Sequence, residues 1–329
     1  MVRKWKMSKT LYKVFLPPIR DEKAGIEYLS KISEAIVSSP EHDFMFDFSR
    51  CSTLSYNAIA VIGGLGDFLK KYEDSVRKST GFGLPRFDSL RKVTFNIDKM
   101  PQSIMTKLQS LGFWNYVKPE HGISVNNDYI GYRQHAVVIQ DHEIVNHLEK
   151  HWLTSEKLSL SDALRDAIIS SIYEIFVNAY GHGLKGNELS QSVISCGEFD
   201  QTKQILCLSV FDLGGGIVKS VQDYTGIKDK QAAFEWALTV GNSTRTDSEP
   251  DMPRGLGFGV LQDFVRINEG TLKVCSDNFI AELDTNGNYK VSKIQGSLAG
   301  TLVSITINCR KKYHYQFQSE QKGNSETFF

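Results

Sequence analysis

The sequence has no excess of either charge and no cysteine pairing pattern. Its 38 Lys and Arg residues balance 38 Asp and Glu residues, so the formal net charge is zero. Nucleic acids and anionic membranes usually select a basic excess, so we expect neither as a partner. The cysteines include no C-x-x-C pair, which is typical of reduced thiols in a cytosolic protein. They are Cys51, Cys196, Cys207, Cys275 and Cys309.

Long apolar runs are also missing. The longest, AIAVIGGLGDFL, is too short to span a bilayer. The first residues, MVRKWKMSKTLYKVFLPP, are basic but lack the apolar region of a secretory signal. We therefore expect a soluble cytoplasmic protein. Its 329 residues are enough for two domains, each with its own core.

The first half alternates between strand and helix patterns, which predicts a small α/β layer. The strand candidates are TLYKVFLP, DFMFDFS and KVTFNI. The helix candidates are DEKAGIEYLSKISEAIVSS, LSYNAIAVIGGLGDFLKKYED and PQSIMTKLQSLGFWNYV. Gly63, Gly64 and Gly66 lie inside a helical pattern without the lysine and hydroxyl of a phosphate loop, so they predict close helix packing.

The segment FDFSRCSTLSYNAIAVIGGL gives the first half a family resemblance. A strand ends at Asp47, and a polar loop then leads into an apolar helix. Residues 10–117 resemble a STAS domain, the fold of bacterial anti-sigma-factor antagonists. In that family a phosphorylatable serine stands near the helix start, whereas this chain has Ser55, Tyr56 and Asn57 there. We expect Tyr56 and Asn57 to form a docking platform, with Ser55 the remaining phosphorylation candidate.

The second half has a different order of predicted elements and is preceded by a polar segment. Residues 118–130 are polar and turn-rich, which predicts a linker. The candidate elements that follow are the strand YIGYRQHAVVI, the helix DHEIVNHLEKHW, a long helix ending in EIFVNAYGHG, and the strands SVISCGEF, QILCLSVFD, GTLKVCSD and GTLVSITIN. These strands predict one mostly antiparallel sheet. Residues 311–329 form a polar tail that we expect to fray.

Four motifs in the second half occur in a fixed order. Glu174, Asn178 and His182 recur every four residues in EIFVNAYGHG, so on a helix they share one face. The three glycine-bearing segments after them are FDLGGGI with Asp212, Gly214 and Gly216, then PRGLGFGV with Arg254, Gly255, Gly257 and Gly259, then GTLVSI with Gly300 and Thr301. Each is common alone, and the middle one lacks the spacing of a dinucleotide fingerprint.

Together the motifs resemble the GHKL ATP-binding fold, over residues 131–310. That superfamily contains DNA gyrase, the 90-kDa heat-shock chaperones, histidine kinases and the MutL proteins. By its long helix, the chain is most similar to the anti-sigma-factor serine kinases. The resemblance implies a STAS-like α/β domain followed by a GHKL (Bergerat-type) α/β sandwich, with a mixed, mostly antiparallel sheet and helices on one face.

The resemblance also implies Mg²⁺ and ATP as ligands. Asn178 would supply one hard oxygen ligand to Mg²⁺, and Glu174, one turn earlier, would act as general base. Asp212 would accept the exocyclic amine of adenine, beside Gly214, Gly216 and Thr301. The phosphates would meet the backbone of Gly255, Gly257 and Gly259 at a helix start, with Arg254 or Arg245 reaching the γ-phosphate. His182 would cap the helix end or hold a phosphate.

Three functions stay open at this point. The chain would hydrolyse ATP or use it as a conformational switch in protein partner-switching, phosphorylate serine or threonine on a STAS partner, or sense ATP without turning it over. A protein partner is expected in each case, and a homodimer stays open. A sensor histidine kinase is excluded, because His142 stands only 32 residues before Glu174, too few for a dimerising helical hairpin. His142, His147 and His151 lack the spacing of a metal site.

Overall fold

A computed structural model describes residues 10–79, 93–118, 130–136, 141–180, 192–239, 241–242, 257–310 and 313–320. We call residues up to 118 the first unit and residues from 130 onward the second unit. The first unit contains β1 (Leu11–Phe15), α1 (Lys23–Ser38), β2 (Asp43–Asp47), α2 (Tyr56–Ser79), β3 (Val93–Asn96), α3 (Gln102–Ser110) and α4 (Phe113–Val117). The predicted alternation of strands and helices in this half is confirmed.

The described strands of the first unit form a parallel sheet in the order β1-β2-β3. Val14, Phe46 and Phe95 occupy matching register positions, so their side chains share one face of this sheet. The rings of Phe46 and Phe95 stack with their centroids 5.4 Å apart. This aromatic face belongs to the same buried cluster as the apolar residues of α1 and α2, so the two helices cover it.

Asp47 connects the three strands of this sheet at the end of β2. Its carboxylate accepts hydrogen bonds from Lys13 Nζ at 2.7 Å, the Ser49 amide at 2.8 Å and Asn96 Nδ2 at 2.9 Å. Burial alone would raise the pKa of Asp47, but these three partners outweigh it and hold the pKa well below its usual value. The aspartate singled out in the sequence therefore joins β1 and β3 to β2.

The second unit contains β4 (Tyr132–Ala136), α5 (Asp141–His147) continued by a π-helical turn (Leu148–Trp152), α6 (Asp162–Asn178), β5 (Ser192–Asp200), β6 (Ile205–Asp212), α7 (Gly216–Thr225), α8 (Lys230–Leu238), α9 (Gly257–Ile267), β7 (Thr271–Leu283), β8 (Tyr289–Asn308) and a short 3₁₀ turn (Gln318–Glu320). Its described strands form one sheet in the order β4-β5-β6-β8-β7, and every pairing among them is antiparallel. The prediction of one mostly antiparallel sheet is confirmed.

Helices cover both faces of this five-stranded sheet, with those of the second unit on one face and α1 and α2 of the first unit on the other. On one side α6 and α9 pack together over the sheet. On the other side α1 packs against β8, and α2 packs against β5 and β6. Among the described residues the molecule is therefore layered as sheet, helices, sheet, helices. The helices α1 and α2 form the second layer, because they lie between the parallel sheet and the five-stranded sheet.

The two units share one hydrophobic core, where the sequence predicted two separate ones. A single buried cluster joins residues of α1, α2 and the parallel sheet to Ile194 of β5, Phe211 of β6 and Leu302 of β8. These three side chains are at most 2% exposed. The residues on the opposite face of the five-stranded sheet form a second cluster that belongs to the second unit alone. The predicted boundary therefore crosses a continuous core.

Gly63 and Gly64 allow α2 to lie directly on the second unit. A Cβ atom on Gly63 would meet the Tyr132 hydroxyl at 2.3 Å, and one on Gly64 would meet the Phe211 ring at 2.7 Å. Both distances are shorter than real Cβ contacts, so any larger residue would displace an aromatic ring. The predicted close helix packing is confirmed, and the surface that is approached is the five-stranded sheet.

The start of α2 is buried in this contact, which corrects the expected docking platform. Asn57 is 1% exposed, and its Oδ1 accepts a 2.7 Å hydrogen bond from Ser209 of β6. Ser55 caps α2, since its hydroxyl accepts a hydrogen bond from the Ala58 amide. Tyr56 is half-buried, with the Lys107 ammonium 3.9 Å from its ring centroid. The surface around Asn57 is thus occupied from within the chain.

The polar tail is ordered over its described part, which corrects the expectation of fraying. The backbone of Tyr315 pairs with the segment just before α6, and its side chain is 8% exposed in the core of the second unit. Ser161, the N-cap of α6, donates its hydroxyl proton to Glu320 at 2.7 Å. The chain end therefore holds the beginning of the helix that carries the long-helix motif.

Two further observations concern the cysteines and the length of the helices. All five cysteines lie in described segments, and each is a free thiol. Within the described segments, no helix combines the length and the apolar character that crossing a membrane requires.

Candidate functional site

The helix α6 carries Glu174 and Asn178, the first two residues of the EIFVNAYGHG motif, on its less buried side. Ser161 caps the helix by accepting a hydrogen bond from the Leu164 amide, and the helix ends at Asn178. Ile175 and Phe176 point into the core of the second unit, whereas Glu174 is half-buried and Asn178 is exposed. The sequence suggested a buried motif, but its carboxylate and amide lie at the edge of the buried surface. His182 lies outside the described residues.

The end of β6 places Asp212 on the side opposite the first unit. Side chains alternate along a strand, and Phe211 lies in the core shared with α2. Val210 lies in the core of the second unit, so Asp212 points to that side as well. Asp212 is 4% exposed and pairs in register with Thr301 of β8. The predicted carboxylate and hydroxyl therefore do meet, across neighbouring strands.

The Asp212 carboxylate is buried but surrounded by hydrogen-bond donors. The Gly214 amide donates to Oδ1 at 3.1 Å, and both the backbone and the side chain of Thr301 also donate to the carboxylate. Burial raises the pKa of Asp212 to about 7, and these hydrogen bonds limit the rise. Near neutral pH the ionised and the protonated forms are therefore both populated.

Gly216 and Gly300 let the backbone pack closely around Asp212. Both have positive φ, +75° and +89°, where larger residues are strained. A Cβ atom on Gly300 would lie 1.9 Å from the carbonyl oxygen of Asp212, and one on Gly216 would lie 2.7 Å from Ser276 Oγ. Only glycine fits at either position. The glycine spacing in the sequence reflects this crowding of the backbone.

Ser276 is the residue of this cluster that sequence reasoning missed. Its hydroxyl donates to the Gly300 carbonyl at 2.8 Å and accepts from the Ile217 amide at 3.1 Å. It thereby fastens β8 to the first turn of α7, beside Asp212. A single serine in the strand segment KVCSD carries no local signal, so only the fold could identify it.

The glycine-rich segment after the site is described only in part. The helix α9 begins at Gly257 and contains Gly259, and it packs against α6. Arg245, Arg254 and Gly255 lie outside the described residues. Asp212, Gly214, Gly216 and Thr301 thus form one cluster where the end of β6 lies beside Thr301 within β8. Glu174 and Asn178 lie on α6, in contact with the helix that carries Gly257 and Gly259.

His135 of β4, His147 of α5 and His151 form a separate group in the second unit. His135 Nε2 lies 2.8 Å from Ser195 Oγ, and the ring centroids of His147 and His151 are 5.3 Å apart. Burial lowers the pKa of His135 to about 3 and that of His147 to about 2, so both are neutral at physiological pH. Among the described residues, no group of three or more His, Cys, Asp or Glu could hold a metal ion.

The end of β6 and the neighbouring part of β8 thus present a buried carboxylate, its backbone and hydroxyl donors, and two glycines without room for a side chain. The half-buried and exposed side of α6 presents a carboxylate and an amide. No protein-family model matches this chain, and no curated protein matches it significantly.

Proposed function

We propose that this chain binds Mg-ATP in its second unit and uses the nucleotide, by hydrolysis or as a conformational switch, to regulate a protein partner. The observation that carries the proposal is the environment of Asp212. A carboxylate has about four acceptor positions, and Gly214 and Thr301 together occupy three of them. The described residues leave one position, which would accept the exocyclic amine of adenine. A buried acceptor of this kind favours adenine over guanine, which has a carbonyl in place of that amine.

The glycines support the same ligand. Because Gly216 and Gly300 carry no side chains, the backbone segments around Asp212 pack directly against one another and fix the position of this residue. Neither glycine tolerates a Cβ atom, so the cradle depends on both of them. The adenine ring would thus be recognised by one carboxylate and held by close backbone approach.

The phosphate end would lie toward α6 and α9. Asn178 is an exposed amide at the last residue of α6, and it fits the single protein oxygen that Mg²⁺ commonly takes beside phosphate and water ligands. When bound, Mg²⁺ would neutralise charge on the phosphates. The first turn of α9, with Gly257 and Gly259, offers backbone N–H groups to an anion. Glu174, one helical turn before Asn178, would act as the general base.

The proposal is tested by measuring ATP binding and turnover on the same set of variants. Asp212→Asn and Asn178→Ala should each weaken Mg-ATP binding by at least about tenfold in calorimetry, because Asp212 would bind adenine and Asn178 would bind Mg²⁺. Glu174→Ala should keep the affinity and lose about 10²–10⁴ in phosphate release. Asp223→Asn and Glu143→Ala are matched controls at exposed positions, and both should behave like the wild type.

Each outcome of this experiment has a definite reading. Unchanged ATP affinity in both Asp212→Asn and Asn178→Ala would remove the assignment of the site. Loss of both ATP binding and turnover in Glu174→Ala would contradict the role of Glu174 as general base. Binding without phosphate release or phosphotransfer in the wild type, with its partner present, would leave an ATP-sensing module.

A further inference from the structure

The strand β8 contains an irregularity one residue before Thr301. Ser276 of β7 pairs with Thr301, but the next residue, Asp277, pairs with Leu298. Ala299 and Gly300 therefore have no partner in β7, and β8 bulges at this point. A bulge of this kind re-aims the side chains on either side of it. Here the bulge directly precedes Thr301, which donates to the Asp212 carboxylate.

Two serines hold the bulge from opposite sides of the sheet. From the second unit, Ser276 donates to the Gly300 carbonyl at 2.8 Å. From the first unit, Ser33 of α1 accepts a 3.0 Å hydrogen bond from the Ala299 amide. Ser33 is 0% exposed, and Ala299 is half-buried. Without Ser33 this part-buried donor would lack its acceptor, which is costly for a backbone N–H group.

The helix α1 is fixed on the same strand by other contacts. Lys31 Nζ donates to Gln295 Oε1 at 2.7 Å, and the Gln295 amide donates to Glu27 Oε1 at 3.3 Å. A Cβ atom on Gly296 would lie 2.7 Å from the Lys31 amide nitrogen, so helix and strand touch backbone to backbone there. Ser33 therefore reaches Ala299 from a helix whose position on β8 is already determined.

We propose that Ser33 is a positioning residue of the nucleotide site, through which the docking of α1 on β8 sets the affinity for the adenine end of ATP. The inference rests on the proposed function and adds its control by the first unit. Ser33 holds Ala299, Gly300 packs against the Asp212 carbonyl, and Thr301 donates to the Asp212 carboxylate. A partner that shifts α1 would thus change nucleotide affinity without touching the site.

The test compares Ser33→Ala with Ser30→Ala in the full-length protein. Ser30 lies one turn earlier on α1, is equally buried, and faces the Cys275 thiol. Ser33→Ala should bind ATP about tenfold more weakly, within the usual range of coupling between sites, and Ser30→Ala should bind like the wild type. Inosine triphosphate has a carbonyl where ATP has the amine. Its affinity should change little, so the preference for ATP should shrink in Ser33→Ala alone.

A second measurement does not depend on nucleotide. Hydrogen exchange at the amides of residues 299–301 should be faster in Ser33→Ala than in Ser30→Ala, because the Ala299 amide has lost its acceptor. If Ser33→Ala does not fold, Ser33→Cys replaces it, since sulfur of similar size is a weak acceptor. Thermal unfolding of each variant establishes that it is folded before the ligand titrations.

The outcomes separate this inference from the proposed function. If the wild type binds ATP in an Asp212-dependent way but Ser33→Ala matches Ser30→Ala in affinity and exchange, the positioning role is wrong and the function stands. An equal loss of ATP and inosine triphosphate affinity would also overturn it, because that pattern indicates general loosening. If the wild type binds no ATP, both the function and this inference fail.

Discussion

Asp212 is the residue at which the proposed function and the stability of the fold conflict most directly. Burial raises its pKa from 3.8 to about 7. Between these two values the folded protein holds a proton that the unfolded chain has lost. The contribution of Asp212 to stability is therefore fully present below about pH 4 and is lost as the pH rises through 7. A buried carboxylate that favours folding in its protonated form would serve recognition in its ionised form.

This conflict predicts a pH-dependent difference between the wild type and Asp212→Asn. The shift from 3.8 to about 7, at about 1.4 kcal/mol for each pKa unit, sets an upper limit of about 4 kcal/mol. We expect the free energy of unfolding to fall between pH 4 and pH 8 more steeply in the wild type than in the variant. Urea unfolding at several pH values measures both slopes.

The comparison of slopes isolates Asp212 from other titrating groups. His135 and His147 have lowered pKa values, so their contribution has the opposite sign and is lost as the pH falls. It is common to both proteins and cancels in the difference. The comparison of slopes also does not depend on the absolute stability of Asp212→Asn. Equal slopes in the two proteins would contradict the raised pKa of Asp212.

The residues of the site differ in how visible they are in the sequence. Asp212, Gly214, Gly216 and Thr301 stand in motifs whose order suggested a common site, and the fold does bring them together. Ser276 and the α1 serine at position 33 act through hydrogen bonds to backbone atoms far away in the chain. A serine of this kind has no distinguishing neighbours, so its role becomes visible only when the partner backbone is in place.

At the scale of elements, α2 is a helix that packs between two sheets. Its glycines predicted close packing, and its apolar residues extend around the whole helix, as expected of a buried one. The sequence did not identify the second surface, because β5 and β6 follow α2 by more than a hundred residues. Strand and helix periodicity report on local burial, not on which distant surface provides it.

Gly64→Ala and Gly66→Ala form a matched pair of variants on α2. A Cβ atom at position 64 would lie 2.7 Å from the Phe211 ring, whereas at position 66 its nearest neighbour is Phe95 at 3.3 Å. Overpacking should destabilise Gly64→Ala by about 1–3 kcal/mol. The gain of up to about 1 kcal/mol in helix propensity should leave Gly66→Ala close to the wild type. Denaturant unfolding measures both, and similar stability of the two variants would contradict the close contact.

For the whole molecule, the shared core means that the units depend on each other. Removing the first unit would uncover Ile194, Phe211 and Leu302 along one face of the five-stranded sheet. A large apolar interface of this kind is typical of parts that do not fold separately. The order of elements in the first half was correctly predicted, whereas α7 and α8 of the second half were not. The dependence of the units was not predicted either, because a polar segment at residues 118–130 has the same composition whether the cores on either side are separate or joined.

We therefore expect a chain that begins at residue 130 not to form a folded monomer. It should aggregate or bind a hydrophobic dye, since the uncovered face is apolar. Co-expression with residues 1–129 should restore solubility, which serves as the control for the break in the chain itself. The intact protein should unfold in one transition that is the same by fluorescence and by circular dichroism. A monomeric, cooperatively unfolding chain from residue 130 would contradict the shared core.

Residues 57–66 of α2 are all buried, which leaves the middle of this helix no side that reaches water. A surface helix can drift in sequence on its outer side while its inner side stays constant. Here every position in that run faces one neighbour or another, so a change of side-chain size has to be matched in a sheet. The first unit could therefore not be exchanged for a homologous domain, as a modular attachment could. The two halves have to evolve as a pair.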